Sequence, residues 1–306
     1  MDIAVIGLGL IGGSLVRALA AGGHAVTGYD ADPATRDAAA AAGDWRIAGS
    51  VAEAAQGAEV VVLAVPLPAV RDIVGHLAAY RGLVTDVTSV KAPVRDLAAG
   101  LRYVGGHPMA GRETSGFAAG DAALFDGCAW VLCLEPDTSL PDWLTLAAVF
   151  TGLGARVVPA TAEAHDAAVA RISHLPHLVA AALATATADP LCAALAAGSF
   201  RDGTRVAAAP PALVASICGG NAGPLAAALD DYLPILAKAR AALDSPDPIA
   251  ALQPWLTPGY AARTAWPPRP AETLTLPATR EALLALGTSG GHIIAVDTDT
   301  VTAARP

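Results

Sequence analysis

The chain has 306 residues, 54% hydrophobic and only 15% charged, with a formal net charge of −9. That composition can bury a sizeable core and excludes a disordered chain, and an acidic balance without a basic run excludes nucleic acid as a partner. A mean hydropathy of +0.48 raises a membrane reading, but no run of 18 residues lacks charges, prolines and turn glycines, so no membrane association is expected.

Residues 3–6 (IAVI) read as a short buried strand. Gly7, Gly9 and Gly12 follow in GLGLIG, then an apolar helix (LVRALAA), then a second strand (AVTGY) that ends at Asp30, 18 residues after the last glycine. Strand, glycine turn, helix, strand and acid, in that order, are the parts of a dinucleotide-binding βαβ unit. Gly7 permits the tight turn, Gly9 lets a pyrophosphate approach the backbone, and Gly12 lets helix and strand pack closely. The helix start, with Leu10 and Ile11 in its first turn, offers free N–H groups to phosphate oxygens. Asp30 suits the ribose hydroxyls and would repel a 2′-phosphate, which favours NAD over NADP. The N-terminal run carries Asp2 where a secretory signal needs a positive charge, so it is read as part of the fold.

The βα alternation continues. EVVVLAV (59–65) is wholly apolar, as in a parallel sheet covered on both faces, and its last residue, Val65, joins the candidate cofactor site. LVTDVTSVK (83–91) runs into a polar loop, and RYVGG (102–106) delivers His107 at the head of GGHPMAGRETSG. CAWVLCL (128–134) and ARVVP (155–159) are later strands, with a helix around 141–152 between them. Ligands of open α/β sheets bind beyond the carboxyl ends of the strands, where Ser89, Lys91 and His107 lie. The four cysteines show no metal-ligand spacing, so they are expected to be reduced core residues of a cytoplasmic protein.

From residue 161 the strand pattern gives way to helix. Residues 161–188 read as one long helix capped by Thr161, with Glu163 and Asp166 in its first turns. Ser173 and His177, four apart, share a face near His165, and Pro176 predicts a kink there. No HExxH or carboxylate spacing suggests a metal. Arg201 and Arg205 follow, about one turn apart, and arginine forks suit carboxylates. Further helices run to residue 243, residues 254–280 read as a Pro-rich extended arm, and residues 290–300 as a short strand. The fold class is therefore α/β: a Rossmann-type dinucleotide-binding domain (1–160), then an all-helical domain (161–280) and a C-terminal tail (281–306). The apolar surface of the helical half predicts a homodimer.

Five motifs in order, GLGLIGGS, DVTSVK, GGHPMAG-x-x-x-SG, HDAAVARISHLPH and AGSFRDGTRVA, resemble the prephenate/arogenate dehydrogenase family of tyrosine biosynthesis. The resemblance implies an NAD-dependent oxidative decarboxylation of a cyclohexadiene, in a cleft between the two domains of a homodimer. His107 then corresponds to the histidine on the substrate 4-hydroxyl, and Ser89 to the serine between that histidine and the nicotinamide. His165, Ser173 and His177 correspond to polar groups of the cleft, Arg205 to the substrate-binding arginine, and Glu113 falls near the substrate side chain. Prephenate is the expected substrate and arogenate the alternative. No fused mutase or complete tyrosine-sensing domain is expected after the helices. Two other readings compete. A β-hydroxyacid dehydrogenase would rely on a lysine in the second domain, where only Lys238 stands, in a late amphipathic helix. A non-catalytic NAD sensor would have no use for His107, Ser89, His177 and Arg205.

Overall fold

The computed structural model describes residues 1–112, 114–267 and 272–306. Strands β1 (Asp2–Ile6), β2 (Ala25–Tyr29), β3 (Arg46–Ile47), β4 (Val60–Leu63), β5 (Leu83–Asp86) and β6 (Tyr103–Val104) form a parallel sheet in the order β3-β2-β1-β4-β5-β6. The continuous apolar runs of β1, β4 and β5 follow from burial on both faces. Ile3, Val5, Val60, Val62 and Leu83 pack with Leu15 and Leu19 of the helix Leu10–Ala21. Ala4, Ile6, Val61, Leu63 and Val84 pack on the other side with Val51, Val70 and Leu77.

The strands that follow leave this sheet. β7 (Gly106–Pro108), β8 (Ala129–Cys133) and β9 (Arg156–Ala160) belong to a second six-stranded sheet, ordered β10-β12-β11-β9-β8-β7. The RYVGG segment is thus divided: Tyr103–Val104 stays with the first sheet, and Gly106–Pro108 pairs antiparallel with β8. The chain crosses from one sheet to the other at Gly105, two residues before His107.

The C-terminal residues are not a tail. β10 (Glu272–Pro277), the helix Arg280–Thr288, β11 (His292–Val296) and β12 (Thr300–Arg305) complete the second sheet, with β11 beside β9. Ile293, Val301 and Ala303 are fully buried, an alternation that holds the segment to the nucleotide-binding half. The helix sits so close to β9 that a Cβ on Gly287 would run into the Pro159 carbonyl.

The Pro-rich arm is extended only in its last part, β10; its first part is helical. Residues Pro248–Ala265 are a helix that includes Pro254 and Pro258. Asp247 caps it at the Ala250 N–H (3.0 Å), and Trp255 Nε1 donates to Ile235 O (3.1 Å), docking it on the helix Ala222–Leu243. Tertiary contact here outweighs the hydrogen bonds that the prolines remove. The expected break near Pro176 takes the form of a π-helical turn, Ala170–His174, between Ala162–Val169 and Leu175–Ala184. Pro176 then falls in the first turn of the next helical segment, where its missing N–H costs little. Thr161 caps the run by accepting the Ala164 N–H (3.2 Å). The four cysteines are thiols, but Cys192 is exposed rather than part of the core.

Candidate active site

The glycine turn has the shape its sequence requires. Gly7 has φ +97°, where a side chain would be strained, and its N–H donates to Tyr29 O (2.7 Å). A Cβ on Gly12 would strike the Gly7 carbonyl oxygen, whereas a Cβ on Gly9 would meet nothing within 4 Å. The open side of Gly9 leaves room for a diphosphate at the start of the helix Leu10–Ala21, where Leu10 and Ile11 are half-buried. The next two residues serve packing instead. Ser14 Oγ accepts the Asp121 N–H (3.0 Å), and a Cβ on Gly13 would crowd the Phe117 ring.

Asp30 is anchored before any ligand arrives: Oδ2 accepts the Leu8 N–H (2.7 Å) and Oδ1 the Asp32 N–H (2.9 Å). Each oxygen keeps a further lone pair for a hydroxyl. Arg36 folds back on this strand end and donates to the Asp30 and Ala31 carbonyls (2.7 and 3.1 Å). Val65 is half-buried just beyond β4.

His107 is buried on β7. Its Nδ1 lies 2.8 Å from His165 Nε2, and His165 Nδ1 lies 2.8 Å from Asp166 Oδ1. These contacts assign the tautomers. A carboxylate only accepts, so His165 carries its proton on Nδ1; its Nε2 must then accept from His107 Nδ1–H. In neutral His107 the lone pair is therefore on Nε2. Asp166 itself is held by the Lys91 N–H on Oδ1 (2.8 Å) and the Ala92 N–H on Oδ2 (2.9 Å).

Burial depresses the His107 pKa well below the ordinary histidine range, aided by His165, Lys91 and His174. His165 is also lowered, by burial that outweighs its bond to Asp166. For Asp166 burial pushes upward, but the bonds from His165, Ala92 and Lys91 prevail and its carboxyl is net lowered. The imidazole is thus neutral over a wider pH range than an ordinary histidine.

A second layer supports the first. Asn221 Nδ2 donates to Asp166 O (2.8 Å) and to His174 Nδ1 (3.1 Å), and burial lowers His174 to about 4. Asp86 and Lys91 form a fully buried ion pair. Taking both charges out of water is unfavourable unless every lone pair and proton is matched. Here they are matched: Asp86 also accepts from Tyr103 OH (2.7 Å), Gly106 N (3.1 Å), and the N–H (2.9 Å) and hydroxyl of Thr88. Lys91 Nζ also donates to Gly106 O (2.6 Å) and Thr88 Oγ1 (3.1 Å).

His107 and His165 are therefore brought into direct contact. His177 Nδ1 donates to Val206 O (3.1 Å), which ties the helix Leu175–Ala184 to the turn Arg205–Ala208 that carries the exposed Arg205. Ser89, beyond β5, and Ser173, in the π-helical turn, are half-buried. Glu113 lies outside the described residues. Sequence reasoning placed Lys91 at the ligand-binding edge without a role, and missed Asp86, Asp166, Asn221 and His174 as site residues. One signal was available: Asp86 ends an apolar strand, and Lys91, five residues on, is one of only two lysines in the chain.

The family model for the prephenate dehydrogenase nucleotide-binding domain matches residues 15–159, and that for the prephenate dehydrogenase dimerization domain matches residues 161–253. Bacillus subtilis prephenate dehydrogenase is 33% identical over 80% of this chain and 71% of its own length. Cyclohexadienyl dehydrogenase of Zymomonas mobilis is 35% identical over 80% of this chain and 89% of its own. The crystal structure of Synechocystis arogenate dehydrogenase superposes with a TM-score of 0.74 at 32% identity, covering 87% of this chain and all of that one. A nucleotide-binding domain, a helical dimerization domain and this likeness over most of the chain place the protein in the prephenate dehydrogenase family of NAD-dependent oxidoreductases.

Proposed function

We propose that the chain converts prephenate, with NAD⁺, to 4-hydroxyphenylpyruvate and CO₂, with His107 as the general base. The observation that carries this reading is the Asp166–His165–His107 relay, which leaves a neutral imidazole with its lone pair on Nε2. The glycine turn, the anchored Asp30 and the first turn of the following helix hold the cofactor. Bound there, NAD⁺ supplies a ring that accepts a hydride.

As hydride leaves C4 of the cyclohexadiene, His107 Nε2 takes the 4-hydroxyl proton and the C–O bond becomes a carbonyl. The positive charge that His107 acquires is spread through His165 toward the Asp166 carboxylate. The C1–CO₂⁻ bond then breaks, and its electron pair enters the ring, which becomes aromatic with the negative charge on the 4-oxygen. His107 returns the proton to that oxygen, so the base is regenerated and no net proton is released. Arg205 binds a substrate carboxylate, a task its fork suits. Ser89 orients His107 toward the nicotinamide, and Ser173 and His177 line the rest of the cleft.

Arogenate, which has an ammonium where prephenate has a keto group, is kept as a second substrate. The cyclohexadienyl and arogenate dehydrogenases among the relatives support it. NADH absorbance on mixing the protein with NAD⁺ and either substrate tests the activity and ranks the two. His107→Asn should lower kcat by about 10²–10⁴-fold while cofactor still binds, the usual contribution of a general base. Retention of most of kcat would place the base elsewhere.

The enzyme works as a cytoplasmic homodimer in this reading. The helical half buries only a small core around Ala170, Leu175, Cys218, Leu225 and Ala228, while Leu183, Leu195, Leu236 and Ile249 are exposed. The run 162–188 is long and apolar enough to cross a membrane, but His165 and Asp166 at its start are buried against the nucleotide-binding half. A second copy therefore covers its exposed side better than lipid does. Light scattering at micromolar concentration tests this, and a monomer would refute it.

A further inference from the structure

Among the described residues, strand β7 pairs with β8 on one side only, and it is the strand that carries His107. In an antiparallel pair, alternate residues turn their N–H and C=O toward the partner strand and away from it. Gly105 O accepts from Cys133 N (2.8 Å), so the next residue, Gly106, directs its polar groups away from β8. Both are taken: the N–H by Asp86 Oδ1 (3.1 Å) and the carbonyl by Lys91 Nζ (2.6 Å). The buried ion pair thus occupies the place of a neighbouring strand beside the residue just before the base. Gly106 permits it, because a Cβ there would come within 2.7 Å of Asp86 O.

Lys91 acts a second time through its main chain. Its N–H donates to Asp166 Oδ1, the same oxygen that holds His165 Nδ1, and His165 in turn holds the His107 ring. One residue therefore reaches His107 by two routes, through its ammonium to the backbone and through its amide to the imidazole. The ammonium is only 1% exposed, and its three protons are directed to Asp86, Thr88 and Gly106, so no solvent role competes.

We propose that Lys91 is a positioning residue for the base, with Asp86 as its counter-charge: together they fix both the backbone register and the ring tautomer of His107. The proposal rests on His107 being the base, and its test has a readout that does not depend on turnover. A displacement of about 1 Å at a reacting group can cost on the order of a hundredfold in rate. Removing the clamp should therefore act on kcat and leave the affinities for NAD⁺ and substrate unchanged.

The experiment compares Lys91→Met and the double variant Asp86→Asn/Lys91→Met with wild type, each as the NAD⁺-bound full chain with ¹⁵N-labelled histidines. His107→Asn identifies the His107 ring signals by their loss. The single variant leaves Asp86 buried without its counter-charge and is the one prone to misfold; the double variant removes both charges and keeps the test possible. In the folded double variant kcat should fall by about ten- to a hundredfold, with KM and NAD⁺ affinity as in wild type. Without the clamp on Gly106 the backbone that carries His107 shifts against His165, so the ring nitrogens of His107 should move from one fixed tautomer toward an average of two. A folded double variant whose His107 keeps a single tautomer, or whose loss falls on KM or NAD⁺ affinity rather than kcat, overturns the proposal. Should His107→Asn retain kcat, the assignment of the base fails instead, and the ring signals still judge Lys91 on their own.

Discussion

Replacing Asp166 by asparagine changes one atom and should remove most of the activity. The carboxylate serves three donors: Oδ1 takes Lys91 N and His165 Nδ1, both at 2.8 Å, and Oδ2 takes Ala92 N at 2.9 Å. An amide has one acceptor oxygen and one donor nitrogen, so it cannot serve all three. With the oxygen kept at the Oδ1 position, the new NH₂ faces the Ala92 N–H, and an unsatisfied buried donor costs about 1–3 kcal/mol. With the amide flipped, the NH₂ faces His165 Nδ1. His165 can accept there only by moving its proton to Nε2. It then donates to His107 Nδ1, the His107 proton moves to Nε2, and the lone pair needed for the substrate is lost. Either orientation also removes the negative charge that stabilises a protonated His107. We expect Asp166→Asn to lower kcat by about 10²–10⁴-fold, the full contribution of a general base, and to lower stability by about 1–3 kcal/mol. Initial rates of NADH formation give the first quantity, urea unfolding the second, and NADH titration shows whether the cofactor site is intact. A folded Asp166→Asn enzyme with wild-type kcat would show that His107 takes its orientation from another partner.

The depressed pKa of His107 places the acid limb of kcat/KM below the ordinary histidine value of ~6.5, because the base must be neutral to accept a proton and protonates only as pH falls through its lowered pKa. A limb at or above that value contradicts the assignment. His174, lowered to about 4, should make the fold acid-sensitive. The unfolded chain takes up this proton near ~6.5 and the folded chain only near 4, so stability present above the first value is lost as pH falls toward the second; unfolding curves of His174→Gln should show a smaller loss across that window. Gly9→Ala should melt like wild type yet bind NADH poorly, since its Cβ enters only the open space kept for the diphosphate, while Gly12→Ala should lose thermal stability through collision with the Gly7 carbonyl. Equal melting temperatures for the two would refute this division. NAD⁺ should be preferred over NADP⁺ in kcat/KM, because an anchored carboxylate at the end of β2 suits ribose hydroxyls and repels a 2′-phosphate, and a reversed preference would shift that role to Arg36.

Local chemistry made the nucleotide-binding half legible in the sequence. A glycine at φ +97°, a helix start without a side chain in the way and an acid at a strand end are each dictated by residues within one βαβ unit, so Gly7, Gly9, Gly12 and Asp30 stand where their spacing put them. The apolar runs of β1, β4 and β5 likewise announced a sheet covered on both faces. The helical second half could be read from its own pattern, whereas His107 and His165 were given roles only by the family resemblance of their motifs. What those residues do to one another was decided by tertiary structure. The bond between His107 and His165 spans 58 positions, that from Lys91 to Asp166 spans 75, and the docking of β11 beside β9 spans more than a hundred. No periodicity in a single chain encodes such distances. The burial that depresses His107, the capture of the C-terminal strands by the second sheet and the helix through Pro254 and Pro258 all depend on what packs against a segment rather than on its own composition. Asp86 and Lys91 show the difference most directly. In sequence they are an acid and a base five residues apart, and only closure of the chain around Gly106 turns them into a buried pair beside the imidazole.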